Sequence, residues 1–108
     1  MPPRIELMWW KGCPSWERAL GMLREEMERA GLDPAAVDVI EVTSEDEAER
    51  LGFPGSPTIR LDGRDLQPPG PEEPGGLTCR VYRGRDGRTS PLPDREDLRD
   101  ALLEVSTE

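Results

Sequence analysis

At 108 residues the chain is the size of one domain and too short for two sizeable cores. Its 23 acidic and 14 basic side chains leave a formal charge of −9, which repels phosphate backbones and excludes nucleic acid as a partner class. There is no histidine, which removes His-based acid–base chemistry, Ser-His and Cys-His dyads and the commonest zinc ligand. Two cysteines, Cys13 and Cys79, are too few for a disulfide scaffold. The amino terminus carries no signal-type apolar core, and no apolar run approaches the ~20 residues that span a bilayer. The expectation is a cytoplasmic protein with no membrane partner, in which cysteines stay free, catalytic or metal-bound.

The apolar residues, 34% of the chain, fall into periodic segments, which predicts one folded domain over 1–108. Residues 4–10 alternate and then become continuously apolar, as a buried strand does. Lys11-Gly12-Cys13-Pro14 breaks it, and Pro14 suits a first helical position because its missing N–H has no helical partner there. The helix runs to about Ala30, with Trp16, Leu20, Leu23, Met27 and Ala30 on one face and Gly31 as its stop.

Val37 to Val42 is the second strand, and Ser44 with Glu47 forms a capping box for a short helix ended by Gly52. A third strand, Thr58 to Leu61, follows Ser56-Pro57 and closes on the turn signal Asp62-Gly63. Residues 63–78 hold four prolines and four glycines and predict a long irregular surface loop. Leu77 to Arg83 is expected as a fourth strand, in a hairpin with the third. Asp94 caps a last helix whose apolar face is Leu98, Ala101, Leu102 and Val105. The predicted order is β-α-β-α-β-β-α, an α/β fold with a four-stranded mixed sheet and helices on both faces; a parallel right-handed crossover joins the first two strands.

Chemistry concentrates at Cys13. A thiol at a helix start lies beside unpaired N–H groups and the positive end of the helix dipole, which lowers its pKa, and Lys11 adds positive charge. The plain alternative is a half-buried cysteine at a poor capping position. Cys79 is expected to be a buried structural thiol on the same strand face as Val81, with Arg80 and Tyr82 opposite. At about 3.3 Å per residue, its place early in the fourth strand puts it on the order of 10 Å from Cys13. A disulfide requires Cα atoms within roughly 7 Å, so no bridge is expected without movement. Trp9 and Trp10 are expected to split between core and rim, and Trp16 to pack. Asp62 and Asp65 show no oxygen-ligand loop pattern.

Gly12-Cys13-Pro14-Ser15-Trp16, between an apolar strand and a helix, resembles the glutaredoxin-type start Gly-Cys-Pro-x-Cys. Ser56-Pro57-Thr58 resembles the cis-proline segment of the thioredoxin superfamily. Gly76-Leu77-Thr78-Cys79-Arg80-Val81-Tyr82 resembles a segment of small bacterial thioredoxin-family proteins of unassigned role, some of them labelled as related to alkylmercury lyase. The resemblance implies a thioredoxin-like fold and a thiol-redox role through Cys13. Cys79 is a second candidate, and Lys11, Pro14, Ser56, Pro57 and Thr58 are substrate-binding residues. It implies that the Ser56 backbone pairs with a peptide or with glutathione. The second cysteine of a Cys-x-x-Cys motif is replaced by Trp16, so exchange within the motif is impossible. What remains is mixed-disulfide chemistry of the monothiol glutaredoxin kind with a thiol or disulfide substrate, resolution by Cys79, or soft-metal or organomercurial binding by Cys13 and Cys79. No tightly bound cofactor is expected, glutathione being a candidate co-substrate. A thioredoxin-fold interaction module without catalysis is the remaining alternative.

Overall fold

The computed structural model describes residues 2–70 and 75–106. The strands and helices are β1 (Ile5–Trp9), α1 (Trp16–Arg29), β2 (Asp38–Glu41), α2 (Glu45–Leu51), β3 (Thr58–Leu61), β4 (Arg64–Asp65), β5 (Tyr82–Arg83), β6 (Thr89–Ser90) and α3 (Arg95–Ser106). A single 3-10 turn, Pro34–Ala36, precedes β2. The architecture is α/β, with a mixed sheet in the order β2-β1-β3-β4. β1 is parallel to β2 and antiparallel to β3, so Leu7 lies between Val39 and Ile59.

Alternation along β1 sends its side chains to two different cores. Ile5 and Leu7 join Ile59, Leu61, Leu23, Met27, Leu98 and Leu102 beneath α1 and α3. Met8 points the other way, to Val42, Ala48 and Phe53 beside α2. Leu98 and Leu102 are fully buried, each contributing about 1.5–3 kcal/mol on the area scale. Ser44 caps α2 by accepting the Glu47 N–H at 3.1 Å. Glu47 reaches back to the N–H of Thr43 at 2.8 Å, one residue before the position a standard box uses.

Two expectations need correction. The fourth strand of the sheet is Arg64–Asp65, not 77–83. Asp62 (φ 52°) and Gly63 (φ 82°) both take the left-handed conformation that a two-residue hairpin demands, so the chain turns back on β3 immediately. The segment from Leu77 stays out of the sheet. It touches β3's approach through one parallel bridge, Ser56 to Cys79, and then forms a separate ribbon of β5 and β6. Of the predicted loop 63–78, residues 71–74 lie outside the described residues.

The buried stripe of α1 also differs from the predicted face, for it contains Glu26 along with Ala19, Leu23 and Met27. The Glu26 side chain has no exposed surface and meets Arg99 at 2.8 Å and Arg95 at 2.8 Å, which ties α1 to α3. The Arg99 hydrogen bond is the main influence, and with Arg95 it outweighs burial and lowers the carboxyl pKa from 4.5 to about 2. Among the described residues no helix is long and apolar enough to cross a membrane.

Candidate functional site: a thiol pair at the Ser56 turn

Cys13 lies in the turn between β1 and α1, where its N–H donates to the Trp10 carbonyl at 3.0 Å. The helix begins two residues later than the sequence suggests: Ser15 is the N-cap and Trp16 the first helical residue. Cys13 therefore precedes the cap, and Ser15, which sequence reasoning passed over, is the residue that meets its sulfur. The Ser15 hydroxyl is 3.1 Å from Sγ. As a thiol, Cys13 donates to the Ser56 carbonyl at 3.3 Å.

Burial is the largest single influence on the Cys13 thiol and pushes its pKa up, yet the net direction is down. The Ser15 hydroxyl, 3.1 Å from the sulfur, leads the opposing influences, followed by the Ser15 backbone N–H and the Cys79 and Ser56 side chains, and together they prevail. Lys11 is exposed and among the described residues makes no hydrogen bond or ion pair; the leading influences that lower the Cys13 pKa come from neutral donors.

Cys79 stands far from its expected place. It bridges Ser56, the residue whose carbonyl meets the Cys13 sulfur, and the neighbouring Cys13 raises the Cys79 pKa, with burial adding to the rise. The strand placement behind the predicted separation of about 10 Å does not hold, because 77–83 is not a strand starting at the distal end of the sheet. It is a strap laid across the end where Cys13 sits. The expectation of a buried Cys79 fails as well. Alternation does separate Cys79 and Val81 from Arg80 and Tyr82, but Arg80 and Tyr82 face inward, and Cys79 and Val81 are exposed.

A charged side chain goes inside because its partners do. Arg80 is 6% exposed, with its guanidinium 2.8 Å from the Asp65 carboxylate, hydrogen-bonded to the Gln67 carbonyl and 4.6 Å above the Tyr82 ring. Tyr82 donates its hydroxyl to the Pro57 carbonyl at 2.6 Å. Asp65 thus serves as the counter-charge of the strap. Gly55 permits the close approach: a Cβ there would lie 3.1 Å from that of Arg80, at a φ of 133° that L side chains rarely adopt.

Ser56 joins all these parts. Its hydroxyl accepts the Trp10 N–H at 3.0 Å, its N–H donates to the Thr78 carbonyl at 2.8 Å, and its carbonyl accepts the Arg80 N–H at 2.8 Å. Its bond to Pro57 is cis. Both backbone groups of Ser56 are therefore taken by the chain's own strap, which corrects the expectation that they are free to pair with a substrate. Thr58 is buried, its hydroxyl donating to the Gly55 carbonyl, while Pro14 is exposed at the rim. Trp9 stacks on Trp16 with ring centroids 4.0 Å apart, and Trp10 packs on the opposite side of the sheet beside the Met8 cluster.

Cys13 and Cys79 are both free thiols. Among the described residues no group of three or more Cys, Asp or Glu side chains is arranged to hold a metal ion. No family model, curated protein or solved structure matches this chain.

Proposed function

We propose that the protein is a thiol–disulfide exchange protein of thioredoxin-like architecture, in which Cys13 works with Cys79 as a redox pair. The observation that carries this reading is the meeting of both cysteines at Ser56: the Cys13 sulfur is 3.3 Å from its carbonyl, and Cys79, 66 residues further along the chain, bridges the same residue. It supplies the resolving sulfur that Trp16 denies to the helix motif. A lowered Cys13 pKa also serves both directions of exchange, since a thiolate is the attacking form and a low-pKa thiol is the better leaving group. The β1–α1–β2 crossover, the cysteine at the helix start and the Ser56-Pro57 turn facing it support the architecture.

The pair forms a disulfide when a disulfide substrate such as glutathione disulfide accepts two electrons from it, leaving two substrate thiols and one Cys13–Cys79 bond. Equilibration in glutathione redox buffers, followed by intact mass and peptide mapping, tests this. The expected product has lost two hydrogens and carries a Cys13–Cys79 cross-link. Thiols that stay reduced at every glutathione ratio refute the reading. A Cys13 alkylation midpoint at the free-cysteine value of about 8.5 refutes its activated sulfur.

The same convergence favours a second reading, capture of a soft cation or organomercurial as cargo between two sulfurs. Mercuric-ion titration separates the two. Two-thiol capture requires Cys79→Ser to weaken binding, and an unchanged stoichiometry and affinity exclude it.

A further inference from the structure

We infer that the mixed disulfide with an outside thiol forms on Cys79, and that Cys13 never bonds to the substrate but closes and opens the internal bond. This deepens the redox-pair reading and rests on it. Cys13 is 1% exposed, whereas Cys79 is open to solvent. The covering of Cys13 is built in. Ser15 lies 3.1 Å from its sulfur, the Ser56 carbonyl 3.3 Å, and the strap lies across Ser56 through hydrogen bonds on both sides of Cys79. An extended substrate cannot add alongside Ser56, because that N–H and that carbonyl already serve Thr78 and Arg80. Arg80, clamped by Asp65 at 2.8 Å, and Tyr82, bonded to Pro57, keep the strap in place. Of the two cysteines it is Cys79, two residues from the 62% exposed Val81, that meets the solvent.

The steps balance as follows. In the oxidised protein an outside thiolate attacks the Cys79 sulfur; the Cys13–Cys79 bond breaks, a Cys79–substrate disulfide forms, and Cys13 leaves as a thiolate. A second outside thiol then displaces Cys79, giving the substrate disulfide and the reduced pair. Run in reverse, Cys79 gives up its proton and attacks a substrate disulfide, and the Cys13 thiolate then displaces the substrate thiol from Cys79. In each direction the adduct is on Cys79. Which sulfur of a disulfide is attacked depends on access and on the leaving thiol, and both favour attack at Cys79.

The test compares Cys13→Ser, Cys79→Ser and the wild type, each treated with glutathione disulfide across a range of pH and followed by intact mass and peptide mapping. The prediction is one glutathione on Cys79 in Cys13→Ser, and in Cys79→Ser an adduct that forms about tenfold or more slowly once rates are corrected for thiolate fraction. In the folded wild-type protein the small reagent methyl methanethiosulfonate should map first to Cys79, a readout that needs no variant. First modification of Cys13, or equal corrected rates in the two variants, overturns the assignment while leaving the redox pair intact if the Cys13–Cys79 cross-link still forms. Absence of that cross-link together with inert single-cysteine variants overturns both.

Discussion

Ser15→Ala isolates the cause of the lowered Cys13 pKa. The Ser15 side chain makes no cap hydrogen bond, and its hydroxyl stands 3.1 Å from the Cys13 sulfur, so its removal does not also uncap α1. Hydrogen bonds to charged groups contribute about 1.5–3 kcal/mol, so losing this one from the thiolate should move the Cys13 pKa up toward its free value. Water does not readily replace the hydroxyl, since Cys13 is 1% exposed. The measurement is thiolate ultraviolet absorbance against pH in a Cys79→Ser background, which leaves one titrating sulfur. Ser15→Thr, which keeps the hydroxyl, should titrate close to the parent. Linkage gives a second readout. A folded pKa below the unfolded one contributes stability that is present above the free-thiol value of about 8.5 and lost as pH falls through the folded value. Ser15→Ala should therefore cost more stability above that range than well below it. A midpoint unchanged from the parent would refute the claim that neutral donors at the helix start activate this sulfur.

Three other substitutions probe the supports of the site. Glu26→Gln should lower stability by about 1–2 kcal/mol in chemical denaturation: the depressed pKa corresponds to about 3 kcal/mol, discounted because Arg95 and Arg99 are 40% and 38% exposed. The parent should lose that contribution as pH falls from about 4.5 through about 2, an acid-limb dependence that the variant should lack. Arg80→Met leaves the Asp65 carboxylate, 11% exposed, without its cation and should cost about 3–5 kcal/mol. It should also slow Cys13–Cys79 bond formation in a glutathione buffer, by freeing the strap. Gly12→Ala puts a Cβ into the Trp10 ring and should cost about 1–3 kcal/mol by overpacking, with a shift in tryptophan fluorescence; unchanged stability and emission would show that the ring is free to move aside.

The elements that local chemistry specifies were legible in the sequence. Ser44, Glu47 and Gly52 bracket α2, Asp94 accepts the N–H groups of Glu96 and Asp97 at the start of α3, and β1 and β2 follow from their apolar runs. What escaped notice depends on partners far away in the chain. Glu26 reads as one more acid on a charged helix until Arg95 and Arg99, about 70 positions later, are brought to it. The strap failed for the same reason. Cys79 to Tyr82 alternates as a strand does, but alternation says only that two faces differ, and which face turns inward was decided by Asp65, Gln67 and Pro57. A signal existed in the cation–aromatic spacing of Arg80 and Tyr82 and in the lone Asp65 just beyond a tight hairpin.

The placement of Cys79 makes the chemistry of this chain conditional on its fold. In a Cys-x-x-Cys motif one turn of helix sets the distance between the sulfurs. Here the turn between β1 and α1 supplies one sulfur and a segment outside the sheet supplies the other, and Ser56 is bonded to both sides. The strap is held by Leu77 against the Met8 cluster, by the Tyr82 hydroxyl on Pro57 and by the Arg80–Asp65 ion pair. Opening moves Cys79 away from Cys13 and exposes the Ser56 edge at the same moment, whereas a Cys13–Cys79 bond pins the strap shut. On the proposed redox reading, oxidation therefore stabilises the closed strap, and by the same linkage anything that holds the strap open favours the dithiol.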